Sequence, residues 1–137
     1  MIAAALRYFA IVFAAAFAFG TARTLWITPA IGATAAVLIE VPLILIVSAI
    51  TARAIVRRRP VLTRSAALGI GAIAFLLLMA AEATLAVGAF GMSPGGWLAT
   101  LNAMPGRIGL AGQLVYALMP FIVREAAGRQ SSLPRRR

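Results

Sequence analysis

Residues 29–64 read PAIGATAAVLIEVPLILIVSAITARAIVRRRPVLTR. The stretch 29–52 is an apolar run interrupted by a single acid, Glu40. A helix needs about 20 mostly apolar residues to cross the hydrocarbon core of a bilayer. Behind the run come Arg53, Arg57, Arg58, Arg59 and Arg64. Such a cationic loop stays on the cytoplasmic side of a membrane. A span that ends in an arginine loop predicts an integral membrane protein, and the rest of the chain repeats the pattern. Apolar runs at about 3–27, 65–90 and 107–123 supply three more spans. No window alternates apolar with polar residues as the strands of a membrane barrel do. The expected fold is all-α, a four-helix transmembrane bundle over residues 1–127, with a basic disordered tail at 128–137 tethered to anionic lipid headgroups.

Composition agrees. Of 137 residues, 63% are hydrophobic and 12% charged, against roughly a quarter charged in soluble domains. All 13 cationic residues are Arg, and the acids are Glu40, Glu82 and Glu125. With no His, Cys, Lys or Asp, the chain cannot by itself build bis-His haem ligation, an iron–sulfur cluster, an ordinary zinc site or a Ser-His-Asp triad. No phosphate-cradling glycine loop is present. We therefore expect no enzyme activity, no cofactor and no metal. The net charge of +10 does not point to nucleic acid, because the arginines sit at the ends of apolar runs, where they meet lipid headgroups.

The charge distribution also gives an orientation. The loop between spans two and three and the segment after span four, with Arg124, Arg129, Arg135, Arg136 and Arg137, hold most of the arginines. The other two loops carry Arg23 and Arg107. Both clusters are expected in the cytoplasm, and an even number of spans puts the N-terminus there too, with Arg7. A rival reading makes residues 1–22 a cleaved signal peptide with Gly20-Thr21-Ala22 as its small-residue site. Against it, the apolar run continues through Leu25, Trp26 and Ile27.

Local signals fill in the turns. Thr28 and Pro29 suit the cap and first position of span two, with Trp26 as an interfacial anchor. Ser93 and Pro94 suit the start of a short outer helix with Trp97, Leu101 and Met104 on one side; an irregular glycine-rich loop is the alternative. Arg107 reads as an interfacial anchor, and Glu125 beside Arg124 as a solvated pair. Small-residue stripes at Gly32, Ala36 and Glu40, and at Ala10, Ala14 and Ala18, allow close helix approach. Phe9, Phe13 and Phe17 form an aromatic stripe facing lipid or a neighbour.

Ionisable groups inside a span are costly, so each is a functional candidate. Glu40 is expected about 16 Å below the outer surface and Glu82 about 12 Å below it, at 1.5 Å per residue. Helical side chains tilt toward the N-terminus, so Arg23 on span one points inward and Glu40 on span two points outward, toward each other. Gln113 and Tyr116 lie on one face of span four, Gln113 about 9 Å deep. Pro42 and Pro120 release the carbonyls of Leu38 and Tyr116 from their helical bonds. The expectation is one buried polar cluster of Arg23, Glu40, Glu82, Gln113 and Tyr116. It serves either as a network that locks the spans together or as a proton or substrate site, because a carboxylate in low dielectric can exchange protons.

Three stretches, GTARTLWITPAIGATAAVLIEVPLILIVSAITAR, LLLMAAEATLAVG and GRIGLAGQLVYALMP, together resemble a family of small four-span bacterial inner-membrane proteins of unassigned function. The resemblance covers most of the chain except the tail. It implies the topology, draws attention to Arg23, Glu40, Glu82 and Gln113, and implies no reaction. Small multidrug exporters are a poorer match, because their membrane-embedded Glu lies in the first span, which here has no acid. Fluoride channels are a poorer match too, since their pore motifs are missing. The leading expectation is a non-enzymatic inner-membrane protein, a structural or accessory subunit in a homo-oligomer or larger complex. The alternative is a small proton-coupled transporter or channel using Glu40 and Glu82.

Overall fold

A computed structural model describes residues 1–131, and these are all-helical, with no strand. Four helices are long and apolar enough to cross a membrane: α1 (Ile2–Ile31), α2 (Ala33–Arg57), α3 (Arg64–Ala89) and α5 (Met104–Ser131). Between the last two lies the short α4 (Pro94–Asn102).

The turns follow from side-chain chemistry, with one correction. Thr63 caps α3, its hydroxyl accepting from the Ala66 amide at 3.2 Å. Ser93 caps α4 as expected, accepting from the Gly96 amide at 3.0 Å. Thr28, however, caps nothing, and its hydroxyl has no partner among the described residues. The first helix instead runs on to Ile31 and turns at Gly32, whose φ of +84° and ψ of 160° suit only glycine. The physical reason is a π segment at Arg23–Ile27. The Thr28 amide bonds five residues back, to the Arg23 carbonyl. This wider turn lets Pro29 stay in the helix despite its missing N–H and the usual clash with the carbonyl four residues before. A second π segment, Leu85–Ala89, ends α3 before Gly91 at φ +66°.

Two further boundaries differ from expectation. The chain turns extended at Ala103, so Met104 starts α5 and is exposed, apart from Trp97 and Leu101. Pro105, without an N–H, belongs in the first turn of a new helix. At the other end α5 remains helical through Ser131, so the tail expected from residue 128 is helical over its first four residues, and 132–137 lie outside the described residues.

Packing places α1 against α2 and α3, and α5 against the same two helices. The sequence neighbours α2 and α3 thus face each other across the bundle, as do α1 and α5. The tightest core lies toward the end that holds the N-terminus and residues 58–63. Ala4, Ala5 and Tyr8 of α1 meet Ala52 of α2, Ile70 and Ala74 of α3, and Tyr116 and Met119 of α5 there. Small residues make this possible. A Cβ on Gly71 would fall onto the Ala117 carbonyl, so α3 and α5 touch backbone to backbone.

Glu125 is more than a solvated pair with Arg124. Arg64 donates to both of its oxygens, from Nε at 2.9 Å and from its terminal nitrogen at 3.0 Å. Arg124 donates to Glu125 and, through Nε, to the Leu62 carbonyl at 3.1 Å. The cluster ties α5 to the loop before α3, because Arg64 stands at the first position of α3 and its long side chain reaches the Glu125 carboxylate.

Candidate functional site

Toward the opposite end, the helices diverge around a cavity of about 760 Å³. Its floor is Val12, Leu78 and Tyr116, all buried. Trp97 and Leu101 of α4 contribute the wall nearest the loops. All five residues of the expected polar cluster line this one cavity.

They arrive in three groups. Arg23 stands at the start of the π segment of α1 and forms an ion pair with Glu40 of α2. The opposing tilts expected from the two helix directions produce that meeting. The Glu40 carboxylate also lies near Gly20, one turn below Arg23, where a Cβ would come 3.4 Å from Oε1. Across the cavity, Gln113 of α5 donates from Nε2 to Glu82 Oε1 of α3 at 2.6 Å. Glu82 forms no ion pair among the described residues. It therefore rests on a neutral amide, while Glu40 rests on a guanidinium.

Tyr116 is the third group. It is 2% exposed, and its ring stacks on Tyr8 of α1 with centroids 4.7 Å apart and planes 10° from parallel. The Tyr8 hydroxyl donates to the Tyr116 carbonyl at 2.8 Å. That carbonyl is the one released by Pro120, so a side chain from another helix takes the place of the missing amide. The Tyr116 hydroxyl itself has no partner among the described residues, and neither does Gln113 Oε1.

Sequence reasoning missed Tyr8 and the aromatic wall. Tyr8 passes for one more residue of an apolar run, although a lone phenol inside a span needs a hydrogen-bond partner. The freed Tyr116 carbonyl was the available signal. Phe13 and Phe17 line the cavity with Phe90 and Trp97, so the stripe on α1 turns partly inward. Arg107 is exposed and does not line the cavity. No group of acids that could hold a metal ion is found among the described residues.

Chemically, the site joins an apolar and aromatic volume to four ionisable groups, Arg23, Glu40, Glu82 and the phenol of Tyr116. Arg23 pairs with Glu40, and Glu82 is left without a counter-ion among the described residues. Its size falls within the range of small-molecule sites, roughly 300–1,000 Å³. Compared with known protein families, curated proteins and solved structures, the chain matches none.

Proposed function

We propose that this protein is a small proton-coupled carrier of the bacterial inner membrane, with both termini in the cytoplasm and the cavity facing the outer side. One observation carries the reading: polar side chains from all four long helices border a single cavity of about 760 Å³. A network that only locks helices together closes on itself and leaves no such volume, because buried polar groups are stable when matched and costly when not. Here Gln113 Oε1 and the Tyr116 hydroxyl, on two residues of the lining, are buried without a hydrogen-bond partner among the described residues. Glu82, away from bulk water with an amide for company, is stable when it holds a proton or a cationic ligand. Exchange of one for the other is the elementary step of a coupled carrier.

The test uses sealed proteoliposomes carrying an imposed pH gradient and a small-molecule extract of bacterial cells. Wild-type vesicles are expected to discharge the gradient on addition of the extract, and Glu82→Gln vesicles to hold it. Discharge retained in both Glu40→Gln and Glu82→Gln, or no discharge beyond empty vesicles in the wild type, overturns the reading.

A second reading, an accessory subunit of a larger complex, is favoured by a different surface. Ala10, Ala14 and Ala18 are all exposed along α1, a small-residue stripe of the kind neighbouring helices pack against. Native electrophoresis of gently solubilised membranes, with mass spectrometry of the band, decides this reading. Unrelated subunits in a large particle support it, and a lone chain or small homo-oligomer removes it.

A further inference from the structure

The charge and hydrogen-bonding balance of the cavity says what kind of molecule it takes. The ionisable groups bordering it are Arg23, Glu40, Glu82 and the phenol of Tyr116. Arg23 is occupied by Glu40. Glu82 keeps one oxygen bonded to the Gln113 amide and has no cation beside it among the described residues. On Gln113 the amide oxygen Oε1, an acceptor, is buried without a hydrogen-bond partner among the described residues, and so is the hydroxyl of Tyr116, another residue of the lining. What Glu82 lacks, among the described residues, is a positive hydrogen-bond donor. The lining of the cavity also includes Phe13, Phe17, Phe90 and Trp97, and aromatic faces attract a cation and pack an apolar body.

We infer that the cavity binds a protonated amine with a compact apolar body, its ammonium held by Glu82 with Gln113 beside it. The inference rests on the carrier reading and deepens it by naming the class of cargo. An anion is disfavoured, because the guanidinium in the site is already paired. A neutral ligand makes no ion pair with Glu82 and so gains nothing from it beyond a neutral hydrogen bond. Binding replaces the proton that Glu82 holds in the empty site, so uptake of the ammonium releases one proton per molecule and leaves no net charge behind.

The experiment is a three-ligand comparison on the full chain in phosphatidylcholine nanodiscs. The probes are 1-adamantanemethylamine, 1-adamantanemethanol and 1-adamantanecarboxylate, which share a body and differ in charge. Trp97 is the reporter, in a Trp26→Phe background; Trp26 is 72% exposed and does not line the cavity. The amine is expected to bind at least about tenfold more tightly than the alcohol, as a charge-assisted hydrogen bond requires. The carboxylate is expected to bind weakest. Glu82→Gln should remove the advantage of the amine over the alcohol and leave alcohol binding intact, which shows that the variant is folded. Lowering the pH should weaken the amine alone, by protonating Glu82. Equal binding of amine and alcohol in the wild type overturns the inference, as does an amine preference that survives Glu82→Gln or the absence of binding by any of the three. The carrier reading fails separately. An amine bound through Glu82 with no coupled proton movement leaves a binding protein. Glutamate-dependent discharge with a preference for the alcohol leaves a carrier of other cargo.

Discussion

At the scale of single residues, the bond from the Tyr8 hydroxyl to the Tyr116 carbonyl shows how a proline shapes a buried site. Pro120 removes the amide that would have served that carbonyl, and a phenol on another helix serves it instead at 2.8 Å. Tyr8→Phe removes the donor but keeps the stacked ring. It is expected to cost about 0.5–1.5 kcal/mol in an unfolding titration in mixed detergent micelles. Pro120→Ala returns a helical amide to the same carbonyl, so Tyr8→Phe should cost less in that background. The shortfall in a double-mutant cycle measures the coupling, about 0.5 kcal/mol or more if the substitution is real. Strict additivity would show that the two residues are independent. The half of this arrangement carried by Pro120 is legible in the sequence, because a proline inside a span announces a free carbonyl. Its partner is not, because which helix lies opposite depends on packing order. The pairing of Arg23 with Glu40 was easier to foresee, since depth along antiparallel neighbours and side-chain tilt are both set by helix geometry.

At the scale of elements, the glycines separate two kinds of constraint. A methyl at Gly71 would meet the Ala117 backbone carbonyl, so Gly71→Ala must push α3 away from α5. Overpacking of this kind costs about 1–3 kcal/mol, and a lowered melting temperature in detergent would report it. At Gly32 there is free space, but the backbone stands at φ +84°. Gly32→Ala therefore carries a purely conformational cost, again about 1–3 kcal/mol, and should loosen the α1–α2 turn while the core keeps its packing. Gly88 has neither constraint, and Gly88→Ala is the matched control with no loss of stability expected. If all three behave alike, neither explanation holds. The turn at Gly32 also shows where a sequence reading of elements reaches its limit. Thr28 followed by Pro29 is a sound helix start by local preference. It was overridden because a π segment at Arg23–Ile27 carries the first helix past the proline, and no periodicity of apolar residues signals a one-residue change in hydrogen-bond ring. The apolar runs themselves located all four long helices, because length and hydropathy alone decide what a bilayer can accommodate.

At the scale of the whole molecule, the bundle is closed at one end and hollow at the other. The stacked tyrosines mark the boundary, since Tyr116 is both part of the packed core and part of the cavity floor. A cavity is a difference between volumes, so it emerges only once the helices are set against one another; the polar residues around it could be named from the sequence, the space between them could not. The proposal that the hollow end faces the outer side rests on the arginines. The loop carrying Arg58 and Arg59, just after Arg57 ends α2, lies at the closed end, and α4 lies at the hollow end. Because the natural chain has no cysteine, single introduced thiols read the orientation without background. Val61 is 90% exposed in the arginine loop, and at Gly95 of α4 an added Cβ meets nothing within 4 Å. A membrane-impermeant maleimide is expected to label Gly95→Cys in spheroplasts, and Val61→Cys only after the membrane is opened. The reverse pattern would turn the cavity toward the cytoplasm and overturn the orientation while leaving the bundle as described. With the expected pattern, a ligand enters from the outer side and meets a closed floor. On the proposed carrier reading, passage to the other side requires the Tyr8–Tyr116 stack to part, and a protein locked by crosslinking α1 to α5 beneath it should bind its cargo and fail to move it.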